Sequence, residues 1–451
     1  VTRVTTSDEL DAFLAVHRDL EAVEVFVTDI NGVARGKLLR AAELPRLYRD
    51  GRPLPGSLLS LDTTGVEVAQ TGLTWDVGDA DLIAFPVAGS LRRLPWRSVP
   101  TAQVLLSVWE SDGRPHAADP RHVLAGVLDR FRPIGILVVA AELELYLVDP
   151  DRDRGLRPPR TPGGRRLDQI DAFSVTELEE LSPVLDELFA AARVMELPVE
   201  TAISESAPGQ LEIVLHHRAD ALRAADDAVQ WKRLVRGVAA KHGLLATFMA
   251  KPFGERAGSG LHLHASVEDR DGRNLFASED PAGSSILRHA IGGLLAMLEE
   301  SMAVFAPNAN SYRRLQAHSY APVSRTWGVN NRTVAVRVPT GAPETRHLEH
   351  RVAGADANPY LAIAAVLAGI HKGIVDELDP GPATEGNGYA STSRLPSDWP
   401  EALRRLRTST DLASYFGAPF LKTYDAIKTA ECRRFHAHVG ELDLAWYLTR
   451  A

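Results

Sequence analysis

The chain has 451 residues, 50 basic against 59 acidic side chains (formal net charge −9), 45% hydrophobic and 24% charged residues. This balance belongs to a well-cored protein longer than one ordinary domain, and it excludes whole-chain disorder and a nucleic-acid partner that needs a basic, phosphate-tracking face. The densest apolar runs, 134–141 and 361–370, fall far short of the ~20 residues a bilayer crossing needs, so no membrane partner is expected. A lone Cys432 excludes an internal disulfide and a Cys-rich zinc site, and the first twenty residues lack an apolar signal core, so a cytoplasmic setting is expected.

Ser7 is placed to cap a first helix that carries Leu10, Phe13, Leu14 and His17 at helical spacing. Apolar runs flank Asn31-Gly32 and predict a hairpin over 25–39. Short strands and Gly/Pro-rich turns continue to about residue 105, giving a small N-terminal domain (1–105) and a larger domain (106–451). Strands are expected over 103–109, Ile136–Val148, Gln210–Leu215, 244–251, 260–267, 334–338 and 347–352. Asp119-Pro120 and Ser182-Pro183 open helices, and 219–242 (stopped by Gly243), 284–305 and 359–378 are further helices. Residues 149–168 form an exposed excursion and 379–396 a polar loop. Strands and helices alternate with short hairpin links, which places the chain in the α+β class.

Four segments carry chemistry. Glu142 and Glu144 share one strand face, and Leu143 and Leu145 the other. Glu205 and Glu212 flank the turn Pro208-Gly209. His262, His264 and Ser266 share a strand face entered through Gly258-Ser259-Gly260. Glu349 shares a face with His347 and Arg351. Each segment alone also fits the solvated face of a half-buried strand. Gathered together, bare carboxylates a few Å apart would repel by ~4 kcal/mol at an effective dielectric of 20, a penalty that divalent cations remove. Five carboxylates with one imidazole suit Mg²⁺ or Mn²⁺. Arg313, Arg314, Arg332, Arg337 and Arg351 offer forked donors for carboxylates and phosphates, and no Gly-x-x-x-x-Gly-Lys-Ser/Thr loop is present. Nucleotide chemistry outside the P-loop class follows.

In this order the segments resemble the glutamine synthetase family. The shared motifs are Asp-x-Asn-Gly at 29–32, Glu-x-Glu at 142–144, Pro-Gly-Gln-x-Glu at 208–212, Lys-Pro-Phe at 251–253, Gly-Ser-Gly-x-His-x-His-x-Ser at 258–266, Asn-Ser-Tyr-x-Arg at 310–314, Asn-Arg-Thr at 331–333 and Arg-x-x-Gly-Ala-Asp-Ala-Asn-Pro-Tyr at 351–360. The resemblance implies a β-grasp N-terminal domain, a catalytic domain with a curved, mainly antiparallel sheet, and rings of subunits stacked as a dodecamer. It implies one metal site from Glu144, Glu205 and Glu212 and another from Glu142, His262 and Glu349. Glutamate would lie against Gly258 and His262, with Arg314 and Arg351 on its carboxylates. ATP would meet Glu200, His264, Ser266, Arg332 and Arg337, with Arg332 and Glu349 serving phosphoryl transfer. The implied chemistry is phosphorylation of the glutamate γ-carboxylate by ATP, then displacement of phosphate by an amine.

The sequence departs from the family at the acceptor. The flap motif Tyr-Glu-Ala-Pro becomes Ser319-Tyr320-Ala321-Pro322, and the aspartate of Asp-Gly-Ser-Ser falls on Pro55 in Pro55-Gly56-Ser57-Leu58. The family uses those two carboxylates to hold and deprotonate ammonium. Without them the acceptor pocket is neutral, with Tyr320 offering a ring and a hydroxyl to a substituted amine. The stretches at 29–37, 61–65 and 246–252 are similar to the γ-glutamylpolyamine synthetase branch, so the expected enzyme is a glutamate–amine ligase. Two other readings stand beside it: an ammonium-using glutamine synthetase and an inactive structural relative. Two smaller departures are His347, where an arginine is expected, and Ala257, where an asparagine is expected. The 379–396 loop holds Tyr389 but not the family's adenylylation motif.

Overall fold

The Asn31-Gly32 signal does form a hairpin in the computed structural model, which describes residues 7–151, 153 and 155–450. Val1 to Thr6, part of the stretch without an apolar core, lie outside those residues, as does the side chain of Ser7, the first residue of the helix Ser7–Val16. Strands β1 (Ala22–Thr28) and β2 (Ala34–Arg40) pair across a turn in which Gly32 takes a φ of 75°. The Asp29 carboxylate sets this turn: it accepts from the backbone N–H of Asn31 (2.8 Å) and Val33 (2.9 Å) and from Arg35 Nε (2.9 Å).

β3 (Arg52–Pro55), β4 (Asp81–Pro86), β5 (Arg92–Arg93) and β6 (Thr101–Trp109) complete this N-terminal sheet in the order β2-β1-β6-β4-β3, with β5 also on β6. Only β1 and β6 run parallel. Because β6 spans Thr101–Trp109, a division at 105/106 falls inside a strand. Alternation gives the sheet two buried faces. Val23, Val25, Val27, Val104, Leu106 and Val108 form a core of their own, while Phe26 and Leu105 turn the other way into the main core.

The second sheet carries β7 (Ile136–Val148), β8 (Val199–Ser204), β9 (Gln210–Leu215), β10 (Leu245–Thr247), β11 (Leu261–Glu268), β12 (Trp327–Val329), β13 (Val336–Val338) and β14 (Leu348–His350). Its order is β12-β13-β14-β11-β7-β9-β8, with β10 also on β7, and every pair except β12–β13 is antiparallel. The α+β class with a curved, mainly antiparallel sheet is therefore present. Leu143, Leu145 and Leu147 of β7, Leu211 and Ile213 of β9, and Leu261 and Leu263 of β11 share one face and enter the main core. Helices Ala221–Lys241, Ser285–Phe305 and Pro359–Val375 add their buried residues to that core. They start at Asp220, Ser284 and Asn358, whose side chains accept from Arg223 N, Leu287 N and Tyr360 N. The other face of the sheet carries the polar side chains of the site between two apolar ends, Val138 and Ala140 at one and Tyr146 and Val148 at the other.

Two expectations need correction, and for one segment the sequence predicts no elements. Only Leu245–Thr247 of the 244–251 segment pairs as a strand; beyond it Met249 N turns back to Thr247 Oγ1 (3.2 Å), and Pro252 has no N–H to continue a ladder. The 149–168 excursion is not wholly exposed, since Thr161 and Leu167 are buried. After residue 396 the chain is helical, through Trp399–Thr408, Thr410–Phe416, Ala418–Ala437 and Glu441–Tyr447.

Candidate active site

Strand register builds the site. Glu142 and Glu144 leave the polar face of β7, and pairing sets Glu142 opposite His262 of β11 and Glu144 opposite Glu212 of β9. Glu349 of β14 lies opposite His264 on one side and Arg337 of β13 on the other. Seven of the side chains singled out in the sequence thus converge from five strands.

Glu142 Oε1 lies 2.5 Å from His262 Nδ1, and Oε2 lies 3.4 Å from His264 Nε2. Burial opposes ionisation of Glu142, yet His262 and His264 hold its carboxyl well below the usual range. Glu349 is 1% exposed and bound on both oxygens, by Arg337 Nη1 (2.8 Å) and by Arg351 Nη1. Against its burial, Arg351 and the two histidines bring the Glu349 carboxyl down to about 2. Glu212 behaves oppositely: burial, then the neighbouring Glu142, Glu144 and Glu205, push it up to about 10. Glu205 is raised by burial and then by Glu144, and its Oε2 accepts from Ser206 N (3.1 Å).

Two sets of ligand atoms each lie within 4.8 Å of one another: Glu142, His262 and Glu349, and Glu144, Glu212 and His262. The first is the triad expected from the sequence. The second holds two expected members with His262 in place of Glu205, which stands close enough to feel Glu144 but outside the cluster. Glu212, held protonated by burial and by the carboxylates around it, marks crowded negative charge of the kind a divalent cation neutralises, and the oxygen-rich donor set suits a hard one.

At the Glu144 end, Glu144 Oε2 accepts from Gly260 N (2.7 Å), and Gln210 Nε2 bonds the Gly258 carbonyl (3.0 Å). A Cβ on Gly258 would meet Ala250 O and Arg314 Cγ at 2.7 Å, so the strand entry tolerates no side chain. Arg314 and Arg351 are both buried; Arg314 reaches the Val352 carbonyl (2.9 Å). The Nε donors of Arg337 and Arg351 are buried without partners. At the Glu142 end a cavity of about 430 Å³ runs along the same sheet face, walled by Val138, Ala140 and Val214 and edged by Glu200, His264 and Ser266. His347 Nε2 lies 3.1 Å from His264 Nδ1 at its rim. Apolar walls with a few polar groups at one end fit a nucleotide base and ribose.

Other residues singled out in the sequence stand apart. Arg332 is exposed and outside that cavity's lining. Arg313 lies over the Phe435 ring, 5.6 Å from its centroid, away from the convergent arginines. Tyr320 is 66% exposed with a φ of 59°, next but one to His318 at 64°, a strained tip for residues that carry side chains. Tyr389, whose role the sequence does not reveal, underlies that tip: it is buried, and its hydroxyl donates to the Ala321 carbonyl (3.3 Å). At the other departure, Ser57 N and Oγ bond Asp79 Oδ1 (2.8 Å) and Oδ2 (3.1 Å). Gln210 was within reach of sequence reasoning, two residues before Glu212 and so on its face.

Residues 117–447 match the family model described as glutamine synthetase, catalytic domain. The chain is 38% identical to the gamma-glutamylputrescine synthetase PuuA of Escherichia coli (strain K12), over 99% of this chain and 95% of that protein. It is 32% identical to a glutamate–isopropylamine ligase of a Pseudomonas species, over 97% of this chain and 96% of the relative. A solved GmaS–ADP complex matches with a TM-score of 0.85 at 29% identity, covering 99% of this chain and 100% of that one.

Proposed function

Because the chain belongs to the glutamine synthetase family, we propose that it is a glutamate–amine ligase, joining the γ-carboxylate of L-glutamate to an organic amine at the expense of ATP. The observation that carries this reading is the convergence of Glu142, Glu144, Glu212, His262 and Glu349 on one sheet face at the end of an apolar-walled cavity. The relatives named for putrescine and isopropylamine support an organic acceptor over ammonium. The family uses ATP and divalent metal ions.

In this reading Glu142, His262 and Glu349 hold one Mg²⁺ or Mn²⁺, and Glu144, Glu205 and Glu212 another. Bound there, the ions supply neutralisation of phosphate charge. Glu200, His264, Ser266, Arg332 and Arg337 receive the nucleotide, with Arg332 and Glu349 serving the phosphoryl transfer. Gly258, His262, Arg314 and Arg351 receive glutamate. A glutamate γ-carboxylate oxygen attacks the γ-phosphorus and the bond to the bridging oxygen breaks, leaving ADP and an acyl phosphate. The amine nitrogen then attacks the acyl carbon, phosphate departs with the carbon–oxygen bond pair, and the nitrogen loses a proton. No nucleophilic side chain is required, because the substrate carboxylate is the nucleophile. Preorganised arginines stabilise charge on the transferred group.

Tyr320 belongs to the acceptor pocket. Its exposure in a single chain fits a site completed by a neighbour in a dodecamer of two hexameric rings. A catalytic unit beginning near residue 106 and a separate N-terminal unit are part of the same reading. Among the described residues no helix is long and apolar enough to cross a membrane, and the reading places the enzyme in the cytoplasm, in polyamine and nitrogen metabolism. The test is phosphate release with ATP, glutamate and a panel of ammonium, ethanolamine, putrescine, spermidine and a monoalkylamine. Strong turnover with at least one organic amine and weak turnover with ammonium is expected. Preference for ammonium makes the enzyme a glutamine synthetase, and no release with any amine makes it an inactive relative.

A further inference from the structure

A second cavity, of about 690 Å³, opens between the hairpin turn at Asn31-Gly32 and the helix Ala221–Lys241. None of the metal, nucleotide or glutamate residues named above lines it. Its charge is one-sided: Lys232, Arg233, Arg236 and Lys428 face two carboxyls, Asp356 and Glu431. Lys428 is answered by Glu431 (3.0 Å) and Arg233 by Glu24 (2.5 Å). The Lys232 ammonium, buried, is held by two neutral acceptors, the carbonyls of Ala355 (2.6 Å) and Ala357 (3.1 Å). Arg236 has no ion pair or hydrogen bond among the described residues; the charge it feels is that of Arg233, which repels it.

The walls are flat. Arg236 and Lys232 both lie over the Phe248 ring, 5.1 and 5.4 Å from its centroid. The Trp96 indole is pressed against the helix at Gly237, where a Cβ would stand 2.4 Å from its Nε1. The Asp356 carboxyl offsets part of the Lys232 charge, whereas Arg236, over the same ring, has no acidic neighbour acting on it among the described residues, and an anion drawn to it would supply one. A volume of about 690 Å³ lies within the usual range for a small-molecule site.

We propose that this cavity binds a multiply charged organic anion, a phosphate ester or polycarboxylate with a flat apolar part, its charge on Arg236 and Lys232 and its plane between Trp96 and Phe248. Such a ligand is wired to the glutamate arginines. Lys232 grips the carbonyls on either side of Asp356, and Asp356 Oδ2 accepts from Asn308 Nδ2 and Ser311 Oγ (both 2.7 Å). Arg314 follows on that same turn, its N–H bonded to the Ser311 carbonyl (3.1 Å). Occupancy therefore shifts the KM for glutamate, a consequence that rests on the ligase reading, whereas binding itself does not.

The experiment is calorimetry on the full-length assembled enzyme, saturated with ADP and Mg²⁺ so that the catalytic cavity is filled. The probes are inorganic phosphate, phenyl phosphate and phthalate. At least one flat dianion should bind about tenfold tighter than inorganic phosphate, and the tighter of the two names the headgroup. Arg236→Gln should weaken that binding about tenfold or more, with unchanged melting temperature and unchanged basal phosphate release. Phe248→Leu should weaken the flat probes and leave inorganic phosphate alone. Absence of binding by all three probes, or binding indifferent to Arg236→Gln, overturns the site. Binding without any change in glutamate KM overturns the coupling. A wild-type enzyme silent with every amine overturns the ligase reading and leaves the binding result standing.

Discussion

The two ends of the proposed active site are built differently. The phosphoryl end rests on β7, β9, β11, β13 and β14, where each polar side chain has a cross-strand neighbour and Glu349 is bound by two arginines. The end proposed to take the amine rests on loops, where Tyr320 stands 66% exposed on left-handed backbone beside Ala321, whose carbonyl Tyr389 holds. Chemistry that must hold two like-charged groups together needs a rigid frame, because a shift of an ångström restores the repulsion. Choice of amine needs only a shape, and loops can change shape without disturbing the frame. Relatives that take putrescine or isopropylamine are what such a division produces.

Removing the divalent ions should erase the rigid end's output entirely. Exhaustive chelation is expected to take phosphate release to background with every amine, restored by Mg²⁺ or Mn²⁺. The same end predicts a proton count. Glu212, pushed up to about 10 by burial and by Glu142, keeps its proton at neutral pH when no cation is bound. Metal binding expels it, so metal affinity rises with pH by up to about tenfold per unit until pH nears 10. Calorimetry of Mn²⁺ binding at pH 7 in buffers of differing ionisation heat should register proton release. A heat independent of buffer would show that Glu212 is already ionised or is not displaced.

Glu349→Gln comes next. It keeps the shape while removing the charge shared by Arg337 and Arg351. A loss of roughly 10³-fold in amine-dependent phosphate release is expected, about 4 kcal/mol of transition-state stabilisation. Glu349→Ala is the poorer variant, since it strands two arginines at a nearly inaccessible position and costs about 3–5 kcal/mol of stability as well. If Glu349→Gln retains most activity, the phosphoryl end is not centred on β14.

The same division explains what could be seen in the amino-acid sequence. Glu142 and Glu144 on one face, and His262, His264 and Ser266 on another, follow from two-residue alternation. That Glu144 stands opposite Glu212 and Glu349 opposite His264 depends on register between strands far apart in the chain, which alternation does not encode. The C-terminal helices escaped for a related reason. In Ala418–Ala437 the buried side includes Lys428, Glu431 and Thr423 beside Phe420, Tyr424 and Ile427, so the apolar period is broken by residues such as Glu431, whose carboxylate accepts from Thr63 N (2.7 Å) only once the chain has folded. Lys428 reaches the N-terminal hairpin at Asn31, nearly four hundred residues away. Tyr389 sits in a Gly-rich loop with no period at all, and its contact with Ala321 belongs to tertiary structure alone.

Turning to the acceptor end, Tyr320→Glu returns a carboxylate to the flap tip. It should shift the ratio of kcat/KM for ammonium over the preferred organic amine by about tenfold, roughly 1.4 kcal/mol, with the ATP KM unchanged. An unaltered amine profile would remove Tyr320 from the pocket.

The smallest effect should come from Tyr389→Phe, which deletes only the hydroxyl that donates to the Ala321 carbonyl at 3.3 Å. Such a bond is worth about 0.5–1.5 kcal/mol, and here it restrains a tip that already carries two left-handed residues, His318 and Tyr320. With the restraint gone the tip relaxes, so the amine KM should rise about threefold while kcat and the ATP KM stay put. The position of Tyr389 makes the alternative distinct. The charges of Arg351 and Arg314 also act on its hydroxyl, so the residue could instead serve the glutamate side. A rise in glutamate KM with an unmoved amine KM would assign it there, and the flap tip would then owe its shape to Ser324 Oγ, which bonds the Gly388 carbonyl (3.0 Å), rather than to the tyrosine.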